Sequence, residues 1–312
     1  MVKSGPEEQN QLLGGMCIFV YVGIWIGSMF TPPVLYFLWR AGWMVPFWFI
    51  ILLALSAYTP IWKPNRRLTD LISHGPRYFK DFSLVYEHVP NPKEDGPTLL
   101  CVSPHGVFTM GWGQLFSRKT RELSSFTFCF ASAMVWNPFF RILCLLFGKI
   151  ATVSKENVTG LMRKGENIAI CIGGFEEATI TCLNTHRIFI QNRKGFIKYA
   201  LQYGYSLQQA YVFGENDCYF NAQGFWPLRL KLNSFGIPAV TPIGNLLFPL
   251  MPRNDHKGIH VVVGKPFKVP KIENPSAEEI DRWHQRYIEE MKGLFNRHKE
   301  RAGHGDKELE IW

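Results

Sequence analysis

The sequence predicts an α/β protein carried on an apolar N-terminal hairpin, and three observations lead there. From residue 98 onward, short apolar runs alternate with longer stretches of helical spacing, the pattern of a central sheet covered by helices. Residues 12–39 and 41–62 contain no charged side chain, with Arg40 between them and Lys63 after them. Near the end, Ser276 and Glu279 form a Ser-x-x-Glu capping box ahead of Ile280, Trp283, Tyr287, Met291, Leu294 and Phe295, which recur at helical spacing. The expected architecture is a membrane-embedded helical hairpin over residues 1–62 and an α/β domain over 63–312, with a central, largely parallel or mixed sheet. An amphipathic helix over 276–296 closes that domain by docking on it, and the polar stretch 297–307 is expected to fray.

The hairpin rests on length. At a rise of about 1.5 Å per residue, about 20 apolar residues cross the hydrocarbon core, and both segments reach that. Thr31-Pro32-Pro33 and Pro46 kink them, so the pair fits a hairpin that dips into the bilayer as well as one that crosses it. Tryptophans 25, 39, 43, 48 and 62 include several near segment ends, where an amphipathic ring favours the interface. A buried core hairpin is the competing reading, opposed by the run lengths, and a cleaved signal peptide is opposed by the second segment. Lys63, Arg66 and Arg67 outnumber the single Arg40, so the positive-inside rule places the domain on the cytosolic side.

The cysteines agree with that side. All seven, at 17, 101, 129, 144, 171, 182 and 218, stand singly with no C-x-x-C pair, which argues for a reducing compartment and against a disulfide framework or a zinc site. The sequon Asn157-Val158-Thr159 is then accidental. The formal net charge of +9 suits an anionic partner, either a lipid surface or a phosphate-rich cosubstrate. Nucleic acid is not expected, because the basic residues are not interleaved with aromatics on a recognisable module.

Within the domain, strands are expected at 99–102, 126–133, 167–173, 209–214, 236–241 and 258–264, and helices at 138–147, 157–164 and 196–203. Chemistry gathers where two of these strands end. Leu99, Leu100, Cys101 and Val102 run into Ser103-Pro104, where proline halts the ladder, so His105 sits on a strand-to-loop corner. Gly106, Gly111 and Gly113 then let the backbone approach a ligand and offer amides to an oxyanion. The run ending in Ile172-Gly173-Gly174-Phe175-Glu176-Glu177 repeats that grammar, and one of Glu176 and Glu177 is placed to hydrogen-bond His105. Both acids also fit as first-turn residues complementing a helix dipole. Arg193, Lys194 and Lys198 bring positive charge to a loop and helix suited to phosphates, although a solvated basic face explains such clusters as well. Phe213-Gly214-Glu215-Asn216 ends another strand in a turn. Serine-hydrolase elbows, His-Glu-x-x-His, phosphate-binding loops and a complete dinucleotide fingerprint do not occur.

In order along the chain, Ser103-Pro104-His105-Gly106, Val153-Ser154-Lys155-Glu156, Ile172-Gly173-Gly174 with Glu177-Ala178, Arg193-Lys194-Gly195-Phe196, Phe213-Gly214-Glu215-Asn216 and Val263-Gly264-Lys265-Pro266 resemble the blocks of the type-2 diacylglycerol acyltransferase family. That family also holds monoacylglycerol and wax-alcohol acyltransferases. Two departures stand out. The family's His-Pro-His-Gly has Ser103 at its first position, so only His105 carries over as the catalytic histidine. Phe175 and Glu176 replace alanines of Gly-Gly-Ala-Ala-Glu-Ala, while Glu177 keeps the acid. Relatives acting on glycerol phosphate carry His-x-x-x-x-Asp, and here Met110 stands at that place.

The resemblance implies an integral membrane enzyme that moves a fatty acyl group from acyl-CoA to the free hydroxyl of diacylglycerol, with monoacylglycerol or a long-chain alcohol as alternative acceptors. His105 would be the general base and Glu177 would orient its ring or stabilise the imidazolium. Amides near Gly106 would meet the oxyanion, and Arg193 and Lys194 would hold the CoA phosphates. Pro104, Gly173, Gly174 and Asn216 support these motifs. No metal or cofactor is expected beyond acyl-CoA as cosubstrate. The expected location is the endoplasmic reticulum membrane with the domain facing the cytosol, and lipid droplets besides; a homo-oligomer is compatible with the sequence. A non-catalytic lipid-binding protein of the same fold is the rival from another class, kept open by Ser103.

Overall fold

The computed structural model describes residues 11–237 and 239–312. The chain begins with α1 (Gln11–Met29), α2 (Thr31–Arg40), α3 (Met44–Ser56) and α4 (Arg66–Ile72), then β1 (Phe82–Tyr86), the single turn α5 (Pro92–Asp95), β2 (Thr98–Ser103) and α6 (Met110–Phe116). It continues through β3 (Phe126–Phe130), α7 (Ser132–Trp136), α8 (Pro138–Phe147), β4 (Ile150–Thr152), α9 (Lys155–Arg163), β5 (Asn167–Cys171), α10 (Gly174–Ile180), β6 (His186–Ile188) and α11 (Gly195–Tyr203). The last elements are β7 (Ser206–Phe213), α12 (Trp226–Ser234), β8 (Ile259–Val263), β9 (Phe267–Lys268), α13 (Ala277–His298) and β10 (Leu309–Ile311).

Eight strands form one mixed sheet in the order β1-β8-β7-β2-β5-β3-β4, with β9 also pairing β7. β2, β5, β3, β4 and β7 run parallel, and β8 and β9 are antiparallel to β7. β2 lies in the middle and is buried along its whole length, which is why it reads as a continuous apolar run and not as an alternating one. Its side chains alternate between two cores. Leu100 and Val102 face the layer containing α1, α6 and α8, and Leu99 and Cys101 face the layer of α9, α11 and α13. The expected α/β architecture with a central mixed sheet is therefore present.

α13 carries both halves of its capping box, Ser276 with the Glu279 amide and Glu279 with the Ser276 amide. Its stripe buries Tyr287, Ile288, Met291, Leu294 and Phe295, each worth about 1.5–3 kcal/mol of burial for an aliphatic or aromatic side chain. The stretch 297–307 is ordered and does not fray. Arg297 and His298 bond Glu87 at 2.9 and 2.8 Å, and the chain returns as β10 to pair with β6 in parallel. The other correction in the domain is at 236–241: Pro238 lies outside the described residues, and the rest forms no strand. Just beyond it, Ile243 forms an isolated antiparallel bridge with Phe220.

The first apolar segment is broken at Phe30, where Pro32 and Pro33 occupy the first turn of α2, and the second contains a helix of only 13 residues, α3. Residues 1–10 of the expected hairpin unit lie outside the described residues. α1 is long and apolar enough to cross a membrane by length and composition, yet one face of it docks on the domain. Cys17, Ile18 and Val22 are buried, and Gly14 lies so close to the backbone at Arg77 and Tyr78 that a Cβ would stand 2.4 Å from the Tyr78 nitrogen. α2 and α3 bury no residue.

Candidate active site

Three parallel strands, β2, β5 and β7, end side by side, with Val102 level with Cys171 and Ser103 level with Tyr211. Ligands of open α/β sheets bind outside such carboxyl ends. His105 follows β2, Gly173-Gly174 and Glu177 follow β5, and Gly214-Glu215 follows β7, so one edge of the sheet collects all three. The Ser103–Pro104 peptide that turns the chain out of β2 is cis.

His105 is half-buried, and its Nδ1 lies 2.8 Å from the carbonyl oxygen of Gly106. A carbonyl only accepts, so Nδ1 carries the proton and Nε2 presents a lone pair. Burial holds the imidazole below its ordinary range, the Arg193 charge adds to that, and the Gly106 bond opposes it. A neutral ring with a free Nε2 is the form a general base needs. Gly106 adopts φ +61°, a left-handed conformation that glycine tolerates, and a Cβ there would stand 2.5 Å from the Glu215 side chain.

Glu177 is 1% exposed on the first turns of α10. The expectation that it touches the His105 ring is corrected by the geometry. Oε2 accepts the backbone N–H of His105 at 2.6 Å, and Oε1 accepts that of Phe189 at 2.9 Å. The ring is oriented by Gly106 instead, so Glu177 positions the corner and not the imidazole. Burial pushes the Glu177 carboxyl up to about 7 against the two amides and Arg193, which pull it down. Gly173 has no room for a Cβ, which would lie 2.2 Å from the Glu177 carboxyl carbon.

Glu215 is the residue that sequence reasoning missed. It is 1% exposed and accepts the amides of Met110 at 2.9 Å and Gly111 at 2.7 Å, the first turn of α6. Burial raises it to about 7 as well, with the Glu177 charge adding to the rise. The signal was present, since strand, glycine and acid in Phe213-Gly214-Glu215 repeat the corner after β5. Because Glu215 occupies these amides, they are not free for an oxyanion.

Arg193 and Lys194 part company. Arg193 pairs with Glu176, lies 5.6 Å from the Phe189 ring centroid, and its charge reaches His105. Lys194 reaches Asp281 of α13 at 2.6 Å, on the outer surface. The loop that carries Phe189 and Arg193 is pinned from behind by β10: Ile190 and Gln191 donate to the Trp312 carbonyl at 2.9 and 2.7 Å. Asn216, buried, donates to the Thr185 carbonyl at 3.0 Å and braces the start of β6. Ser103 is wholly buried, and its hydroxyl has no hydrogen-bond partner among the described residues. The Val263–Pro266 block starts at the last residue of β8, which runs antiparallel to β7 and away from the site.

Fold and site together define an α/β enzyme with a half-buried histidine at the carboxyl ends of parallel strands, near two buried carboxyl groups and a basic loop. Comparison with known proteins agrees with that class. A family model described as diacylglycerol acyltransferase matches residues 43–312. The chain is 36% identical to mouse 2-acylglycerol O-acyltransferase 1 over 64% of each chain. It is 31% identical to Diacylglycerol O-acyltransferase 2 of Dictyostelium discoideum over 72% of each. To human acyl-CoA wax alcohol acyltransferase 2 it is 30% identical, over 85% of this chain and 87% of that one. The chain belongs to the diacylglycerol acyltransferase family.

Proposed function

We propose that the protein transfers a fatty acyl group from acyl-CoA to the free hydroxyl of diacylglycerol, giving triacylglycerol, with His105 as general base. The observation that carries this is the His105 tautomer. Nδ1–H is committed to Gly106, so Nε2 is free to take the acceptor's proton as its oxygen attacks the thioester carbonyl. The oxyanion collapses, the C–S bond breaks, and the CoA thiolate takes the proton back from the imidazolium. Glu177 keeps His105 in place through its amide. Arg193 has the charge and position to meet a CoA phosphate, with Lys194 farther out. Free amides near Gly106 are the oxyanion donors in this scheme, and neither a metal nor a further cofactor takes part.

The apolar α1 and the exposed α2 and α3 support membrane association, which puts the site beside the phase in which the acceptor dissolves. The endoplasmic reticulum membrane, with the domain on its cytosolic face, and lipid droplets are the proposed locations, and self-association is compatible with them. A second acceptor class has specific support, since relatives named for 2-acylglycerol and wax alcohol match at similar identity. Microsomes containing the protein, given labelled oleoyl-CoA and equal amounts of diacylglycerol, monoacylglycerol and hexadecanol, decide among them. Triacylglycerol should be the main product; a dominant diacylglycerol or wax-ester product would reassign the acceptor, and no ester from any of the three would refute the enzyme.

A further inference from the structure

Between α1 and the 247–251 loop lies an apolar cavity of about 420 Å³, walled by Val22, Ile26 and Phe30 on one side and Leu247, Phe248 and Leu250 on the other. No side chain lining it carries a nitrogen or oxygen, so hydrocarbon is what gains by filling it. Gly23 and Gly27 form part of the α1 wall. Unlike Gly14, which close packing requires, both face open space: a Cβ at either would meet nothing within 4 Å.

Three features say what enters. The rim is continuous with exposed apolar surface, Phe19 and Val20 on α1 and Leu246 and Leu247 on the loop, the last two 92% and 84% exposed. That surface belongs with the helices read as the membrane-facing part of the molecule. An aromatic layer leads away from α1: Trp25 meets Phe108 at 4.7 Å, and Phe108 meets Tyr219 at 5.0 Å. Phe108 is on the loop that follows His105, and the Tyr219 hydroxyl donates to the Leu250 carbonyl at 2.9 Å, so the layer joins the cavity wall to the catalytic corner. Finally, the basic loop with Arg193 packs with the opposite core, beside Ile190 and Ile197, whereas Val22, Phe108 and Tyr219 belong to the α1 core. A CoA held at Arg193 therefore leaves the α1 side to the other substrate.

We infer that this cavity binds the acyl chains of the neutral lipid acceptor, admitted from the bilayer between α1 and the 247–251 loop. The inference rests on the acyl-transfer reading and adds where the acceptor lies. Gly27→Phe and Gly23→Leu would add side chains to this wall at positions where a Cβ meets nothing within 4 Å. In either variant the ratio of KM for dioleoylglycerol to KM for dihexanoylglycerol should rise about tenfold, because the short chains reach less of the cavity. An unchanged ratio in both would overturn the site. Wild-type protein in vesicles, without acyl-CoA, supplies a measurement independent of turnover and of variant folding. A photoreactive diacylglycerol should label residues 19–30 or 247–251, and equal labelling by a phosphatidylcholine carrying the same probe would overturn the site as a mere lipid contact. Selective labelling of a protein that acylates no hydroxyl would support the site and overturn only the acyl-transfer reading.

Discussion

Glu177, after β5, and Glu215, after β7, are each 1% exposed, and each gives both carboxylate oxygens to backbone amides. Each also faces a glycine with no room for a Cβ, Gly173 and Gly106 respectively. What differs is whose amides they hold. Glu177 joins two separate loops, one through His105 itself and one through Phe189, four residues before Arg193. Glu215 holds two consecutive amides on the first turn of α6, where a negative charge also complements the helix dipole. The same device therefore sets the spacing of reacting groups in one place and the seat of a helix in the other.

The largest effect should come from removing His105, the proposed base, whose backbone amide Glu177 holds. His105→Ala should lower kcat/KM by about 10²- to 10⁴-fold, the usual worth of general-base help, while the protein still accumulates in membranes with an unchanged thermal midpoint. Turnover within a few-fold of wild type would end the base assignment. Next in size are the acids themselves. Glu215→Ala strands two buried amides and should cost about 2–5 kcal/mol of stability, read from denaturant midpoints in detergent. Glu177→Gln keeps an acceptor for one amide and should lower kcat about tenfold with the lesser loss of stability. If turnover per folded molecule falls as far in Glu215→Ala as in Glu177→Gln, the distinction between the two corners fails.

The pH dependence sharpens the same contrast. Burial lifts both carboxyls to about 7 from an ordinary value of 4.5, so the folded state holds protons that the unfolded state releases. The stability each contributes is complete below the unfolded pKa and is lost as pH rises through about 7. Relative to wild type, Glu215→Gln should therefore gain thermal stability as pH is raised from about 5 to about 8. The opposite trend would mean that the paired amides keep the Glu215 carboxylate ionised. His105, held below its ordinary range, should leave the base form active well into mildly acid solution, which a kcat/KM profile would show. A smaller effect separates the basic pair: Arg193→Ala should raise KM for acyl-CoA about tenfold and Lys194→Ala about twofold, since the Arg193 charge reaches His105 whereas Lys194 lies against Asp281 on the surface.

The corners after β2 and β5 were legible because apolar run, glycine and polar residue lie within a few positions of one another. The corner after β7 carried the same signal, but what Glu215 holds was not legible, because its partners are backbone amides more than 100 positions away and an amide has no sequence signature. The same limit explains why Glu177 was expected at the imidazole: side chains advertise partners, main-chain donors do not. β1 and β4 escaped notice as edge strands, one half-buried along most of its length and the other only 3 residues long. At 236–241 an apolar run lacked a neighbouring strand to pair with, so composition alone misled. At the end of α13, the polar Arg297 and His298 are held by Glu87, 210 and 211 positions earlier. Pro32 and Pro33 did mark a break, and the structure places a helix start there.

The smallest effect should be at Ser103, and it tests whether the corner after β2 holds one reactive group or two. Along β2 side chains alternate, so Ser103 shares a face with Leu99 and Cys101 in the α13-side core, where its hydroxyl is wholly buried without a partner among the described residues. An unpartnered buried hydroxyl costs free energy, so Ser103→Ala should leave stability unchanged or raise it by about 1 kcal/mol. Turnover should stay within about twofold of wild type, because the proposed proton route runs through His105 Nε2 and not through this hydroxyl. If Ser103→Ala proves as damaging as His105→Ala, a nucleophilic serine is implicated instead. The oleoyl group would then pass through an ester on Ser103, and rapid quenching after addition of oleoyl-CoA, followed by mass spectrometry of the peptide containing Ser103, would reveal that adduct.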